Sequence, residues 1–132
     1  MHCASPNILF VDDDQDSCEL MSVMLSYAGA DYKTTSVATA LEALNLIAQK
    51  PFDLLVVDYK LPEMTGVELC RRIRKTDQQT PILFFTGMAS NNDRNVAIEA
   101  GASSYLVKPN DIDKFTDTVK QLLSERQQNF PQ

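Results

Sequence analysis

The chain has 132 residues, a formal net charge of −6 and an apolar fraction of 44%, which suffices for one hydrophobic core and predicts a single globular domain. A negative surface repels phosphate backbones, so direct binding to nucleic acid is disfavoured. No apolar run approaches the roughly 20 residues of a membrane span, and no basic segment with a following apolar stretch marks a signal peptide, so we expect a cytoplasmic protein without membrane contact.

Short apolar runs alternate along the chain with segments of helical periodicity. Runs that begin at Ile8, Leu54, Ile82 and Tyr105 are apolar on both faces, and a weaker strand is expected near residues 31–35. Such runs predict strands that are buried on both sides, as in a parallel sheet covered by helices. Alternation of strand and helix five times therefore predicts an α/β domain with right-handed crossovers.

The segments between the strands carry apolar residues at helical spacing. The helix expected at residues 91–100 has the thinnest apolar stripe, so we expect it to pack least firmly against the sheet. Polar residues suited to helix capping precede the helical segments. They are Asp14, Ser36 or Thr39, Thr65, Ser90, and Asn110 or Asp111, and the expected buried stripes include Cys18, Met21 and Leu25, then Leu41, Leu44 and Ala48, then Leu69, Cys70 and Ile73.

Polar side chains follow each of the four apolar strands at its carboxyl end. Asp12 and Asp13 follow the first, Asp58 the second, Thr86 the third and Lys108 the fourth. Ligands of open α/β sheets bind outside the carboxyl ends of the strands, so we expect these side chains to converge. Three neighbouring carboxylates require compensating positive charge. Lys108 supplies one charge, and Mg²⁺, a hard ion that binds carboxylate oxygens and retains water, suits the remainder.

Four ordered motifs resemble the signature of response-regulator receiver domains of two-component signalling. The resemblance covers the chain from about Asn7 to about Leu123. It implies a flavodoxin-like, doubly wound (βα)5 fold with strand order 2-1-3-4-5, an N-terminal extension at residues 1–6, a receiver domain at 7–124 and a polar tail at 125–132. The motifs are Val11-Asp12-Asp13-Asp14, Asp58 through Pro62 to Gly66, Phe85-Thr86-Gly87, and Tyr105 through Lys108 to Pro109.

The resemblance implies roles for the residues that match its motifs. Asp58 would accept a phosphoryl group from a phosphohistidine, while Thr86 and Lys108 would each bind a phosphoryl oxygen. Tyr105 resembles the switch aromatic that turns inward when the threonine is drawn to the phosphoryl group. The output surface would then comprise the helix at residues 91–100, the last strand and the last helix.

The same resemblance implies a metal site and partners. Asp13 would bind Mg²⁺ directly and Asp12 partly through water, while Asp58 and the main-chain carbonyl of Lys60 would complete the protein ligands. The phosphodonor would be a sensor histidine kinase or a histidine phosphotransfer protein. An output domain or a protein target would receive the signal, and phosphorylation-dependent homodimers are compatible with the resemblance. Such a domain catalyses only its own phosphorylation and dephosphorylation, so we class it as a signalling switch and not as a conventional enzyme.

Four other functions share parts of this pattern. An EF-hand loop that starts at Asp12 would need Gly and Glu where the chain has Ser17 and Val23. A phosphatase with an aspartate nucleophile would use Asp12, and an FMN-binding flavodoxin would not have acids after the first strand. A phosphorylation-independent scaffold would not need all five polar residues. The cysteines, which are Cys3, Cys18 and Cys70, form no metal-binding or disulfide pattern, so we expect free thiols.

Overall fold

The computed structural model describes residues 5–29 and 31–129, with side chains as far as residue 125. Its centre is a five-stranded sheet with the order β2-β1-β3-β4-β5. All neighbouring strands are parallel, which confirms the predicted fold. The strands are β1 (Asn7–Val11), β2 (Lys33–Val37), β3 (Leu54–Val57), β4 (Ile82–Thr86) and β5 (Ser104–Val107).

Five α-helices cover the two faces of this sheet. The last helix continues through residues 125–129, which belong to the segment expected as a polar tail. No helix among the described residues is long and apolar enough to cross a membrane. The helices are α1 (Gln15–Ser26), α2 (Ala40–Gln49), α3 (Gly66–Arg74), α4 (Asn91–Ala100) and α5 (Phe115–Asn129), and a short 3-10 helix, Ile112–Lys114, precedes α5.

The sheet separates two hydrophobic cores. Helices α2, α3 and α4 pack on one face and α1 and α5 on the other. Successive strand residues point to opposite faces, so Leu9 and Val11 enter the first core while Ile8 and Phe10 enter the second. Because both faces are covered, the strands are continuous apolar runs instead of alternating ones.

The buried face of α2 differs from the expected one. Leu41 is 59% exposed and Ala48 is also exposed, so the predicted stripe was wrong at both positions. Ala40 and Ala43 are buried instead, with Ile47 packed beside them. The true stripe begins one residue earlier, and its small alanines let the helix approach the sheet closely. The larger Leu41 gave the stronger hydrophobic signal although it faces away from the sheet.

The helix starts are fixed by side-chain caps. Asp14, Thr65 and Ser90 cap α1, α3 and α4 as predicted. Of the two candidates for α2, Thr39 is the cap, and Glu42 completes a reciprocal capping box with it. These caps matter for the site because α1, α3 and α4 all begin in loops that follow the carboxyl ends of strands.

Candidate functional site

The five polar residues expected to converge lie together at the carboxyl edge of the sheet. One carboxylate oxygen from each of Asp12, Asp13 and Asp58 lies within 4.8 Å of the others. Lys108 Nζ lies 2.7 Å from Asp12 Oδ2 and 4.0 Å from Asp58 Oδ2. The Thr86 hydroxyl lies near the Asp58 carboxylate and lowers the pKa of that carboxyl group. Residues at or just beyond the carboxyl ends of four different strands therefore build one site.

The two adjacent acids after β1 have different environments. Asp12 is only 3% exposed, and its Oδ1 accepts a hydrogen bond from the main-chain N–H of Asp14 at 2.9 Å. Its Oδ2 accepts from the Lys108 ammonium at 2.7 Å. Asp13 is exposed beside it. The protein itself therefore neutralises the buried acid, while the exposed acid is accessible to a ligand from solvent.

Asp58 lies in an electrostatic environment that is only partly compensated. Burial raises the pKa of its carboxyl group, and the charge of Asp12 raises this pKa further. The Thr86 hydroxyl and the Lys108 ammonium act in the opposite direction without cancelling the rise. One ammonium thus faces three carboxylates. A divalent cation with a preference for oxygen ligands fits this donor set and the residual negative charge.

The backbone around Lys108 directs its side chain toward the acids. Its main-chain N–H donates to the carbonyl of Thr86 at 2.7 Å, and the Lys108-Pro109 peptide bond is cis, as the resemblance implied. The ammonium also lies 5.6 Å from the centre of the Phe85 ring. Lys108 is therefore fixed at both its backbone and its charged end.

A chain of contacts links Thr86 to Tyr105. The main-chain N–H of Met88 donates to Thr86 Oγ1 at 3.3 Å, and the Tyr105 hydroxyl donates to the main-chain carbonyl of Met88 at 2.7 Å. Tyr105 is 2% exposed, and its ring stacks on Phe84 with a centroid distance of 5.7 Å. Tyr105 therefore points inward, and the backbone of one residue, Met88, connects it to Thr86.

Some contributors to the site were not assigned a role from the sequence. The Arg94 guanidinium lies 5.3 Å from the centre of the Tyr105 ring, a tertiary contact for which an exposed helical arginine gives no signal. A Cβ on Gly66 would overlap the main-chain carbonyl oxygen of Asp58. The Cys18 thiol lies 3.6 Å from the main-chain oxygen of Asp12, and burial raises its pKa to about 11. That thiol is therefore protonated and serves packing.

Two further predictions concern Lys60 and the cysteines. Lys60 is exposed in the loop after β3, and metal binding by its carbonyl stays a prediction. Cys18 and Cys70 are free and buried, as expected, whereas Cys3 lies outside the described residues.

Comparison with known proteins identifies the family. A family model for the response regulator receiver domain matches residues 8–120. The response regulator MprA of Mycobacterium bovis is 36% identical over 119 residues, which are 90% of this chain and 51% of MprA. The uncharacterized transcriptional regulatory protein YkoG of Bacillus subtilis is 31% identical over 119 residues, again 90% of this chain and 51% of the relative. The chain thus spans about half the length of both relatives.

Solved structures agree with this assignment. The CheY-like receiver domain from Methanospirillum hungatei superposes with a TM-score of 0.87 at 31% identity and covers 96% of this chain and 100% of its own. The beryllofluoride-activated NtrC4 receiver domain dimer matches with a TM-score of 0.82 at 28% identity, over 91% of this chain and 98% of its own. The strand order, the site and these matches agree, and the chain belongs to the response-regulator receiver family of two-component signalling.

Proposed function

We propose that this receiver domain accepts a phosphoryl group on Asp58 and that Mg²⁺ assists the transfer. The observation that carries the proposal is the position of the Asp58 carboxylate. It lies near both the Thr86 hydroxyl and the Lys108 ammonium, beside the acid pair of Asp12 and Asp13. A nucleophilic oxygen, two donors for phosphoryl oxygens and a set of metal ligands are the parts that phosphoryl transfer requires.

The transfer forms one bond and breaks one. A carboxylate oxygen of Asp58 attacks the phosphorus of a phosphohistidine, and the new P–O bond gives an aspartyl phosphate. The P–N bond breaks, and its electron pair stays on the imidazole nitrogen, which takes up a proton. The Thr86 hydroxyl and the Lys108 ammonium each donate to a phosphoryl oxygen. Bound Mg²⁺ would neutralise part of the charge on the phosphoryl group.

The surroundings of Asp12 and Asp13 suggest different roles for these two adjacent acids in metal binding. Both oxygens of Asp12 already accept hydrogen bonds from protein groups, which favours contact with the ion through water. Asp13 is exposed and would bind it directly. Asp58 and the main-chain carbonyl of Lys60 would complete the protein ligands. The family likeness and the acidic cluster support this arrangement.

The contacts of Thr86 suggest how the signal leaves the site. Movement of Thr86 toward a phosphoryl group would pull on the main-chain N–H of Met88, and the Tyr105 hydroxyl holds the main-chain carbonyl of the same residue. Tyr105 lies in β5 and packs beside α4, so the output surface would be formed by α4, β5 and α5. The small buried residues of α4, Ala97 and Ala100, favour this helix as the element that shifts.

The partners follow from the family and the relatives. A sensor histidine kinase or a histidine phosphotransfer protein would supply the phosphoryl group. Because the relatives are about twice as long as the matched segment, an output domain or a separate protein target would receive the signal. The dimer described for NtrC4 supports a phosphorylation-dependent homodimer. The free thiols of Cys18 and Cys70 suit the reducing cytoplasm.

Intact-mass spectrometry with phosphoramidate tests the proposal. We expect the wild-type chain to gain one phosphoryl group only when Mg²⁺ is present, and Asp58→Asn to gain none. Asp117→Asn is the matched control, because Asp117 is an exposed acid on α5 and should be phosphorylated like the wild type. Full phosphorylation of Asp58→Asn, or none of the wild type, would contradict the proposal.

A further inference from the structure

A pair of reciprocal hydrogen bonds closes the segment that carries Lys108. The main-chain N–H of Val107 donates to Asp111 Oδ2 at 2.9 Å, and the main-chain N–H of Asp111 donates to the Val107 carbonyl at 2.8 Å. The two bonds join the residues on either side of Lys108, Pro109 and Asn110. These three residues therefore form a closed loop, and we call the pair of bonds the Asp111 clamp.

Helix capping does not explain the direction of the Asp111 side chain. Asp111 precedes the 3-10 helix Ile112–Lys114, where an aspartate is expected to accept from main-chain N–H groups ahead of it. It makes no such capping bond, and its carboxylate points back to the last strand. The sequence-based expectation of a cap at this position was therefore wrong for Asp111.

The carboxylate of Asp111 is suited to this contact. The side chain is only 19% exposed, and the hydrogen bond from Val107 lowers the pKa of its carboxyl group, so it is ionised at neutral pH. An ion pair with Lys114 at 3.4 Å is the other contact, but Lys114 is 65% exposed. Exposed ion pairs contribute little to stability, so the hydrogen bond from Val107 restrains the Asp111 side chain more strongly than the ion pair does.

The clamp acts on a residue whose position matters. Lys108 has a flexible four-carbon side chain, and its ammonium has to reach both Asp12 and Asp58. Its main-chain N–H is fixed to the Thr86 carbonyl, while the Asp111 clamp fixes the chain on its other side. A backbone held at both ends restricts the positions of the ammonium, and errors of about 1 Å in such groups are costly in phosphoryl transfer.

We propose that Asp111 is a positioning residue that holds Lys108 over the acidic site. The importance of this role for phosphorylation rests on the proposed function, whereas the effect on Lys108 itself does not. Asp111 touches neither the acids nor a phosphoryl group. Its contribution passes through the backbone of Val107 to the lysine, so its removal should loosen the ammonium and leave the three carboxylates in place.

Lysine acetylation footprinting, read by peptide mass spectrometry, tests the positional effect without any phosphorylation. In Asp111→Ala the labelling of Lys108 should be about fivefold faster, as expected for the loss of one hydrogen bond worth about 1 kcal/mol. Asp111→Glu, which keeps the charge but displaces the acceptor, should behave alike. Asp111→Asn retains an acceptor oxygen and should restore slow labelling. Asp113→Ala, an exposed acid two residues later, is the matched control.

Labelling of the exposed Lys50 serves as an internal standard, because global unfolding would change it together with Lys108. Unchanged labelling of Lys108 in both Asp111→Ala and Asp111→Glu would overturn the proposal. If either variant does not fold, the other decides.

Phosphorylation kinetics separate this inference from the proposed function. With phosphoramidate and Mg²⁺, Asp111→Ala should be phosphorylated about fivefold more slowly than the wild type. In a Lys108→Met background the same substitution should have no further effect, because its target is already absent. An equal slowing in both backgrounds would overturn the proposal. A wild type that takes up no phosphoryl group, with Lys108 labelling as expected, would contradict the proposed function and leave the positional role supported.

Discussion

Removal of the Lys108 ammonium is the perturbation whose effect can be estimated most directly from the structure. In Lys108→Met the side chain keeps a similar length and loses its charge. Asp12, which is 3% exposed, then lacks the partner that lies 2.7 Å from its Oδ2. Asp58 also loses the positive charge at 4.0 Å. Among the residues whose side chains are described, no other cation then lies within 4 Å of the three carboxylates.

The magnitude follows from these distances. With an effective dielectric constant of about 20, the two attractions amount to roughly 6 and 4 kcal/mol. Desolvation of the charges offsets most of this sum, and loss of one partner from a buried pair typically costs about 3–5 kcal/mol. Because the Lys108 side chain is 23% exposed, we expect the lower limit, a loss of about 3 kcal/mol. For a domain of this size that corresponds to a fall in Tm of about 10 °C.

Urea denaturation at neutral pH, with and without Mg²⁺, measures this loss. Without Mg²⁺, Lys108→Met should have a free energy of unfolding about 3 kcal/mol below that of the wild type. Mg²⁺ should stabilise both proteins, and the variant more, because its cluster carries more unbalanced charge. Lys114→Met is the control. Because Lys114 is exposed, its removal should lower the free energy of unfolding by less than about 1 kcal/mol. A Lys108→Met protein as stable as the wild type without Mg²⁺ would refute the reasoning.

Three further predictions follow from the same site. Because the pKa of Asp58 is raised in the folded protein, the folded state binds the Asp58 proton more tightly than the unfolded state does. The protonated Asp58 therefore stabilises the fold at low pH, and this contribution is lost as pH rises through the raised pKa. Without Mg²⁺, Asp58→Asn should therefore unfold at higher urea than the wild type at neutral pH, and this advantage should vanish as pH falls toward 3.8; equal denaturation curves at neutral pH would contradict it. Gly66→Ala should lower the free energy of unfolding by roughly 2 kcal/mol, because the new Cβ would overlap the main-chain carbonyl oxygen of Asp58. A Cβ on Gly87 would have no atom within 4 Å, so Gly87→Ala should denature like the wild type. The aspartyl phosphate should last minutes or longer, because neither Lys60 nor Met88 can orient an attacking water and the apolar Met88 side chain would lie across the path to the bond. Decay within seconds in the wild type, or no acceleration in either Lys60→Asn or Met88→Ala, would show that these side chains do not shield the bond.

The fold and the convergence of the site were predictable because each depends on local patterns. Continuous apolar runs arise when a sheet is buried on both faces, and the carboxyl ends of parallel strands meet at one edge. These two rules together predict that Asp58, Thr86 and Lys108 meet at one edge of the sheet. Helix α4 was also predicted at its observed limits, Asn91–Ala100.

The features that the sequence did not reveal depend on the direction in which a side chain points and on contacts between distant parts of the chain. The buried face of α2 was misjudged because side-chain size outweighed position, so that Leu41 was preferred to Ala40. Asp111 fits a helix-cap pattern, and only its three-dimensional surroundings show that its carboxylate points back to β5. The contact between Arg94 and Tyr105 joins two elements whose spacing no local pattern encodes.

Reductive trapping of the phosphorylated residue tests the central claim most directly. Borohydride cleaves an aspartyl phosphate and converts that aspartate to homoserine, which peptide sequencing by mass spectrometry locates. After treatment of the wild-type chain with phosphoramidate and Mg²⁺, the account predicts homoserine at Asp58 and unchanged aspartate at Asp12 and Asp13. Homoserine at Asp12 or Asp13 with Asp58 unmodified would contradict the assignment of Asp58 as the phosphoryl acceptor.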